Sequence, residues 1–328
     1  KKRTEKEFYE GVWVVRSGIW KKWFSQSISF SFWKELKRMF RDFRPEIVHL
    51  HTPNPLSSLY VLPAIPRKTK LIVHWHSDII EQGALYTFFR PIEKLLLRRA
   101  DQIIVTSPAY SSGSKALQPW PNKLQVVANT INREKLTKQE GDDAAIAAIR
   151  KRYEGKKIIF AFGRHVPYKG FRYLIDSAPM IAEDAVIVLA GSGPLTEQLK
   201  QRVASPNVYF AGRISDNELR QYLYAADLFV FPSITRNEAF GLALAEAMYC
   251  GLPAVTFTIP DSGVNWVSVN GETGLEVENG NAQALAGAIN RLLADDALRA
   301  QLGRQARARA ERYFVTEAIH DTLNDLYR

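Results

Sequence analysis

Two glutamates, Glu238 and Glu246, flank the predicted start of a helix in the second half of the chain. The apolar run 228–231 precedes them and is followed by Pro and Ser, which is typical of a buried parallel strand. The residues after Gly241 are strong helix formers and continue to a Gly-Leu-Pro sequence at 251–253, which ends helices. The loop that contains Glu238 therefore follows the carboxyl end of a strand, where open α/β sheets bind ligands.

This helix start could bind a phosphate and several hydroxyl groups. The first N–H groups of a helix have no partner inside it and attract anions, and here they belong to residues 239–242. Gly241 allows the backbone to approach a ligand closely. Glu238 and Glu246 add two acceptors for hydroxyl groups. Together these groups suit a sugar nucleotide, although a capped helix with two solvated glutamates is the simpler interpretation of the spacing.

Two cations, Arg164 and Lys169, follow another predicted strand at 158–163. Gly163 and Gly170 beside them leave room for a ligand. A diphosphate leaving group needs such cations, because its negative charge grows as the bond to it breaks. The alternative is a pair of surface cations around a turn.

Three further segments lie where predicted strands end. Gly191 and Gly193 form a glycine turn, which alone is weak evidence for a nucleotide site. Arg213 follows the next strand. Residues 71–78 are predicted as a strand and its terminal loop, and His76 lies where the strand ends. His51, at the end of an earlier strand, is a weaker candidate to line an acceptor site. An isolated histidine is more often structural, so these positions alone establish no function.

These segments occur in an order that resembles the order of motifs in a known family. Glu238 and Glu246 form an E-x7-E motif similar to that of retaining glycosyltransferases with the GT-B fold, in particular family 4, the glycosyl transferases group 1. The similarity runs from about residue 163 to about residue 286. The resemblance implies two Rossmann-like, doubly wound parallel-sheet α/β domains that face each other across a cleft. It also implies transfer of a hexose from a UDP- or GDP-linked sugar to a hydroxyl, with retained anomeric configuration.

The resemblance assigns roles to individual residues. Arg164 and Lys169 bind the diphosphate, Glu246 accepts hydrogen bonds from the ribose hydroxyls, and Glu238 accepts them from the sugar. The residues expected to take part in catalysis are His76, Arg164, Lys169 and Glu238. The residues expected to bind the donor are Gly163, Arg164, Lys169, Gly191, Gly193, Arg213, Ile214, Glu238, Ala239, Phe240, Gly241, Leu242 and Glu246.

No metal ion and no cofactor is expected besides the donor itself. The sequence contains no Asp-x-Asp motif and no His/Cys group with zinc spacing. Arg164, Lys169 and a helix N-terminus would stabilise the diphosphate in place of a metal ion. Because no side chain is placed by the sequence as a nucleophile, we expect front-face attack, in which the departing phosphate takes the acceptor's proton.

The positive charge is concentrated in the first part of the chain. The 328 residues have a net charge of +10, and residues 1–132 contain 21 Lys and Arg against 10 Asp and Glu. Residues 19–44 interleave aromatic side chains, Phe24 among them, with cations. This pattern is typical of a helix in a membrane interface, or of a helix that packs its apolar stripe on a sheet. We expect an anionic membrane surface rather than nucleic acid as the partner, and a glycan or polyprenyl-linked (lipid-linked) acceptor.

The alternation of strands and helices predicts two α/β domains. We expect an acceptor-side domain at 1–132, a nucleotide-sugar domain at 133–308 and a terminal helix at 309–328 that returns to the first domain. Residues 1–10 are highly charged and predict a loop. Compared with the family, the first strand and its glycine loop are expected to be missing. One cysteine and no apolar run of about 20 residues favour a cytoplasmic protein, peripheral at the inner face of the cell membrane.

Other functions remain open at this stage. A sugar-nucleotide 2-epimerase and a glycogen-type synthase share the fold. A non-catalytic glycan- or polyanion-binding protein would use the basic first domain alone. The pairs Glu238/Glu246 and Arg164/Lys169 argue against the last, because binding to polyanions does not require two carboxylates.

Overall fold

The computed structural model describes residues 3–23, 26–79 and 83–328, without the side chains at 22, 23, 26 and 83–85. Phe24 of the aromatic-basic stretch lies outside the described residues. The chain divides into two compact units. Unit 1 comprises Lys1–Val105, Ser114–Gln125 and Tyr327, and unit 2 comprises Thr106–Gly113, Val126–Leu326 and Arg328.

Unit 1 is built on a four-stranded sheet with two small hairpins. Its strands are β1 (Glu5–Tyr9), β2 (Val12–Arg16), β3 (Lys21–Trp23), β4 (Gln26–Ile28), β5 (Ile47–Thr52), β6 (Lys70–Trp75), β7 (Gln102–Val105) and β8 (Leu124–Val126). The sheet has the order β5-β6-β7-β8, and β6 pairs in parallel with both β5 and β7. The helices of this part of the chain are α1 (Phe30–Phe43), α2 (Pro55–Ala64), α3 (Gly83–Arg99) and α4 (Pro108–Gly113), the last of which belongs to unit 2.

The prediction of a loop at residues 1–10 was wrong. The segment forms β1, which pairs with β2 as an antiparallel hairpin. Glu10 and Gly11 both have positive φ, at 47° and 83°. Two successive residues of positive φ form the kind of turn that matches the twist of a hairpin. The sequence analysis predicted a loop from the high charge of residues 1–10 and did not recognise the turn at Glu10 and Gly11.

Helix α1 is amphipathic, but none of its residues is buried. Phe30 and Phe43 are 69% and 64% exposed. Phe32 packs edge-on against Tyr60 of α2, so part of the apolar stripe rests on its neighbour. Phe30 and Phe43 face solvent, as does the exposed ring of Trp20, whereas Leu36 and Phe40 are half-buried.

Unit 2 contains a six-stranded sheet of order β11-β10-β9-β12-β13-β14, with every neighbouring pair parallel. Its strands are β9 (Lys157–Phe162), β10 (Ala185–Ala190), β11 (Val208–Gly212), β12 (Leu228–Phe231), β13 (Ala254–Phe257) and β14 (Gly274–Val277). Its later helices are α5 (Arg133–Leu136), α6 (Asp142–Arg152), α7 (Phe171–Ser177), α8 (Thr196–Gln201), α9 (Asp216–Ala225), α10 (Leu242–Tyr249), α11 (Val264–Val267), α12 (Ala282–Ala294), α13 (Asp296–Tyr313) and α14 (Thr316–Tyr327).

Burial and capping explain these elements. Strands β10, β12 and β13 are buried at every residue, as expected for parallel strands covered on both faces. Ser215 starts α9 with a capping box that includes Glu218, and Asn281 caps α12. A buried pair, Arg220 and Asp142, joins α9 to α6. The parallel α/β fold predicted from the sequence is therefore confirmed, whereas β14 was not predicted.

Candidate active site

Lys169 and Glu238 form an ion pair in unit 2. Lys169 Nζ lies 2.5 Å from Glu238 Oε2, and the two side chains are only 13% and 12% exposed. Ser233 Oγ donates to the same carboxylate oxygen at 3.1 Å. The ammonium also lies 4.8 Å from the ring centroid of Phe231, at the end of β12. The pair therefore places one cation and one carboxylate at the carboxyl end of this strand.

The start of α10 lies directly after Glu238. Gly241 is its N-cap residue with φ of 94°, a conformation that favours glycine. The first backbone bonds run from the amides of Leu244 and Ala245 to the Gly241 carbonyl. In the described part of the chain, the amides of Phe240, Gly241 and Leu242 donate to no acceptor. The helix start thus offers free donors beside the Lys169–Glu238 pair.

Glycines bring the neighbouring loops into close contact. A Cβ atom on Gly191, whose φ is 113°, would lie 2.0 Å from the carbonyl oxygen of Gly163. A Cβ atom on Gly193 would lie 2.4 Å from the carbonyl oxygen of His165, and one on Gly170 would lie 2.0 Å from that of Pro232. These approaches pack the loops after β9, β10 and β12 against one another.

The two arginines of the predicted site differ in their contacts. Arg164 is exposed, and its guanidinium has no hydrogen bond or ion pair to a protein group in the described residues, although its backbone carbonyl accepts from the Val166 amide at 2.9 Å. Arg213 is also exposed, and its Nε donates to Ser192 Oγ at 2.7 Å, which holds the side chain over the glycine turn at 191–193. Ile214 beside it is half-buried. Arg164 therefore has its guanidinium free for a ligand.

Glu246 is half-buried in α10, and its pKa is raised to about 7. Burial is the main cause, the charge of Asp216 raises the pKa further, and Lys135 lowers it. Lys135 is itself paired with Asp216 at 2.7 Å. A carboxyl group with this pKa changes its charge close to neutral pH, so its ability to accept hydrogen bonds depends on pH.

Two residues that the sequence did not single out support the loop before α10. Ser262 Oγ donates to the Glu238 carbonyl, and the amide of Gly263 donates to the Ala239 carbonyl at 3.1 Å. A Cβ atom on Gly263 would lie 2.2 Å from that carbonyl oxygen. Gly263 is the single glycine of residues 259–267, and it was the only signal in the sequence for this contact.

His76 belongs to unit 1. Its Nε2 lies 2.7 Å from Nδ1 of His51, so one of the two rings donates to the other. Burial, followed by the effect of His51, lowers the pKa of His76. At neutral pH the ring is therefore neutral and can form hydrogen bonds without carrying a charge.

Sequence comparison identifies the family of this chain. The family described as glycosyl transferases group 1 matches residues 142–309, slightly more than half of the chain, and a glycosyl transferase 4-like domain matches residues 2–130.

The chain belongs to the glycosyl transferases group 1 family.

Two relatives of this glycosyltransferase come from bacteria. D-rhamnosyltransferase WbpZ of Pseudomonas aeruginosa is 29% identical over 295 residues, which cover 89% of this chain and 75% of the relative. O-antigen chain mannosyltransferase C of Escherichia coli is 27% identical over 297 residues, covering 90% and 77%.

Solved structures confirm the GT-B fold. HepE of Anabaena, in complex with UDP, matches with a TM-score of 0.77 at 21% identity, covering 90% of this chain and 82% of HepE. Sucrose-phosphate synthase of Thermosynechococcus elongatus matches with a TM-score of 0.81 at 24% identity, covering 100% and 85%. At these identities the likeness shows the fold of the glycosyltransferase alone.

Proposed function

We propose that this glycosyltransferase transfers a hexose from a UDP- or GDP-linked sugar to a hydroxyl of a glycan or lipid-linked acceptor, with retention of configuration and without a metal ion. The observation that carries the proposal is the Lys169–Glu238 pair beside the free amides at the start of α10. A diphosphate supplies negative charge for Lys169, Arg164 and the amides, and a hexose supplies hydroxyls for Glu238. The glycine turns at 163 and 191–193 and the residues Arg213 and Ile214 are assigned to the nucleoside.

In the proposed mechanism the acceptor oxygen attacks the anomeric carbon from the face that the phosphate leaves. The bond from the acceptor oxygen to the anomeric carbon forms, the bond from that carbon to the phosphate oxygen breaks, and the departing phosphate takes the acceptor's proton. Lys169 and Arg164 stabilise the charge that develops on the diphosphate. Glu238 hydrogen-bonds to the sugar and is not the nucleophile, because its carboxylate is held by Lys169 and Ser233. His76, as a neutral ring, is assigned to the donor sugar.

The proposed setting is bacterial surface polysaccharide or glycolipid synthesis at the cytoplasmic face of the membrane. The names of the relatives WbpZ and O-antigen chain mannosyltransferase C support this setting. Within the described residues, none of the helices is both long enough and apolar enough to span a bilayer. Cations and exposed aromatic rings on α1 would provide peripheral binding to anionic lipids. The domain boundary near residue 132 and the return of the terminal helix stay predictions.

Retention can be tested without knowledge of the acceptor. In excess EDTA, the intact chain should slowly hydrolyse one α-linked nucleotide hexose from a panel of UDP-, GDP- and ADP-sugars. NMR spectra recorded before the released sugar mutarotates should show the α-anomer first. Initial release of the β-anomer would contradict retention. Activity that disappears in EDTA and returns with Mg²⁺ would contradict metal independence.

A further inference from the structure

Four imidazoles lie on one face of the unit 1 sheet. His49 and His51 alternate along β5, and His74 and His76 alternate along β6 and the residue after it. The parallel register places His51 opposite His74. Because alternate residues of a strand share a face, the rings form one group. One nitrogen of each of His49, His51 and His74 lies within 4.8 Å of the others.

Several nitrogens of this group lack a partner. Nε2 of His49 and both ring nitrogens of His74 are buried and have no hydrogen-bond partner in the described part of the chain. A buried polar atom without a partner destabilises a fold, because it has lost its hydrogen bonds to water. Such atoms in a native fold call for an explanation, and an ion or a water molecule is the usual one. Their concentration in one place points to a ligand shared by the rings.

The chemistry of the ring nitrogens selects the class of ligand. A neutral imidazole presents a lone pair, which is the form that binds a metal ion. The group of His49, His51 and His74 supplies ring nitrogens and no carboxylate, so it favours a metal ion that binds nitrogen ligands.

Hydrogen bonds to Tyr327 and His76 orient two of the three proposed ligand rings. Nδ1 of His49 lies 2.7 Å from the hydroxyl of Tyr327, and Nδ1 of His51 lies 2.7 Å from Nε2 of His76. In the tautomers where both Nδ1 atoms donate, the Nε2 atoms of His49 and His51 keep their lone pairs. Histidine ligands of metal ions are commonly fixed by such a second layer of hydrogen bonds.

We propose that His49, His51 and His74 bind one divalent transition-metal ion of the zinc class, with a further position open to water. Imidazole suits zinc, copper or nickel, whereas magnesium and calcium prefer oxygen ligands. The three ring planes lie within 28° of one another, so the rings must rotate to direct their lone pairs to one point. Zinc has no geometric preference from its d electrons, so it tolerates the ligand arrangement that results from this rotation. His49, His51 and His74 are not assigned to the donor, whereas His76, the hydrogen-bond partner of His51, is.

The test is metal binding by the full chain, prepared without a polyhistidine tag and stripped with a chelator. Calorimetry with ZnCl₂ should show one ion per chain, and CoCl₂ should produce visible absorption bands of a low-symmetry site. His49→Ala and His51→Gln should each weaken zinc binding at least about tenfold, by analogy with the loss of an outer partner. His320→Ala is the matched control, because His320 lies on α14 outside the group and is exposed.

Two results would overturn the proposal. One is no saturable binding of either metal by the folded wild-type chain. The other is equal zinc affinity of wild type and His51→Gln. The His51 side chain is exposed, so this substitution is compatible with folding. Circular dichroism of each stripped variant checks that loss of binding is not loss of fold.

Discussion

The two units offer a ligand different chemistry. Unit 2 gathers charged groups at the carboxyl ends of its strands, where Lys169 and Glu238 are paired and the Arg164 guanidinium has no partner among the described residues. Unit 1 gathers imidazoles on its sheet, while residues 1–132 carry 21 Lys and Arg against 10 Asp and Glu. Charged side chains held together at a site can stabilise the charge that develops on a leaving group. Cationic side chains spread over an outer surface can instead bind an anionic membrane. We therefore propose that unit 2 binds the donor and that unit 1 surrounds the acceptor.

The largest expected effect concerns the stability of unit 2. Asp142 and Arg220 form an ion pair in which each side chain is 3% exposed, and Gln221 also donates to the carboxylate. Asp142→Ala leaves Arg220 buried without its partner and should lower the free energy of unfolding by about 3–5 kcal/mol. Urea unfolding at neutral pH measures this loss.

The matched control is the adjacent Asp143, whose pair with Lys138 is exposed. Asp143→Ala should change stability by less than about 1 kcal/mol. Hydrogen bonds from Arg220 lower the pKa of Asp142. The pair's contribution is therefore fully present above the ordinary aspartate pKa of about 3.9 and is lost as the pH falls through the folded-state pKa. Equal losses of unfolding free energy in Asp142→Ala and Asp143→Ala would contradict the claim that burial makes the Asp142–Arg220 pair important for stability.

The next effect concerns turnover. Lys169→Ala and Arg164→Ala should each lower kcat by about 10²–10³-fold, because their interaction strengthens as charge develops on the diphosphate. Lys200→Ala, at an exposed pair in the same unit, should leave kcat unchanged. A variant with normal kcat and only a raised donor KM would show that the substituted cation binds the donor but does not stabilise the transition state.

A smaller effect concerns the pH dependence of donor binding. The pKa of Glu246 is about 7, so its carboxylate should become available to ribose hydroxyls as the pH rises from 6 to 8. Donor affinity should increase over this range, and Glu246→Ala should weaken binding at pH 8 by about 1.5–3 kcal/mol. Glu246→Gln should remove the pH dependence.

Glu246 also affects the stability of the free protein. Its folded-state pKa lies above the unfolded value, so the folded chain holds the extra proton and stability falls as the pH rises from about 4.3 to about 7. Glu246→Gln should therefore be more stable than wild type at pH 8 in the absence of donor. A wild-type chain whose donor affinity is the same at pH 6 and pH 8 would contradict the assignment to ribose.

The smallest expected effect per residue concerns the surface of unit 1. Each Lys or Arg near an anionic leaflet contributes about 1 kcal/mol, and exposed rings such as Trp20 add to this. Co-sedimentation with anionic vesicles should decrease with salt and in a variant with four substitutions to Gln, at Lys21, Lys22, Lys34 and Lys37. The control variant changes four exposed cations of unit 2 to Gln, namely Lys151, Arg291, Arg304 and Arg312. Equal pelleting of the two variants would remove the membrane proposal.

The sequence predicted the buried strands better than the edges of the fold. Strand β12 matches its predicted bounds of 228–231 to the residue, because it is a fully buried apolar run followed by turn residues. Strand β14 was missed because Gly274, Leu275, Glu276 and Val277 lack a continuous apolar run, and only its pairing with β13 defines it.

The same limit applies to the candidate site. The residue types and their places after strands could be predicted, since the carboxyl ends of parallel strands lie together. The ion pair of Lys169 with Glu238 depends on β9 lying next to β12, which the sequence does not determine. The group of His49, His51 and His74 depends on the register of β5 against β6. Their spacing along the chain matches no zinc motif, and only the pairing brings them together.

The central claim is that charged groups of unit 2 bind the donor diphosphate without a metal ion. Calorimetric titration in excess EDTA, with the nucleoside monophosphate and diphosphate of the preferred base, tests it most directly. We expect the diphosphate to bind more tightly than the monophosphate, Lys169→Ala to remove most of this difference, and Mg²⁺ to change neither affinity. Equal affinity for the two nucleotides, or diphosphate binding that requires Mg²⁺, would contradict the account.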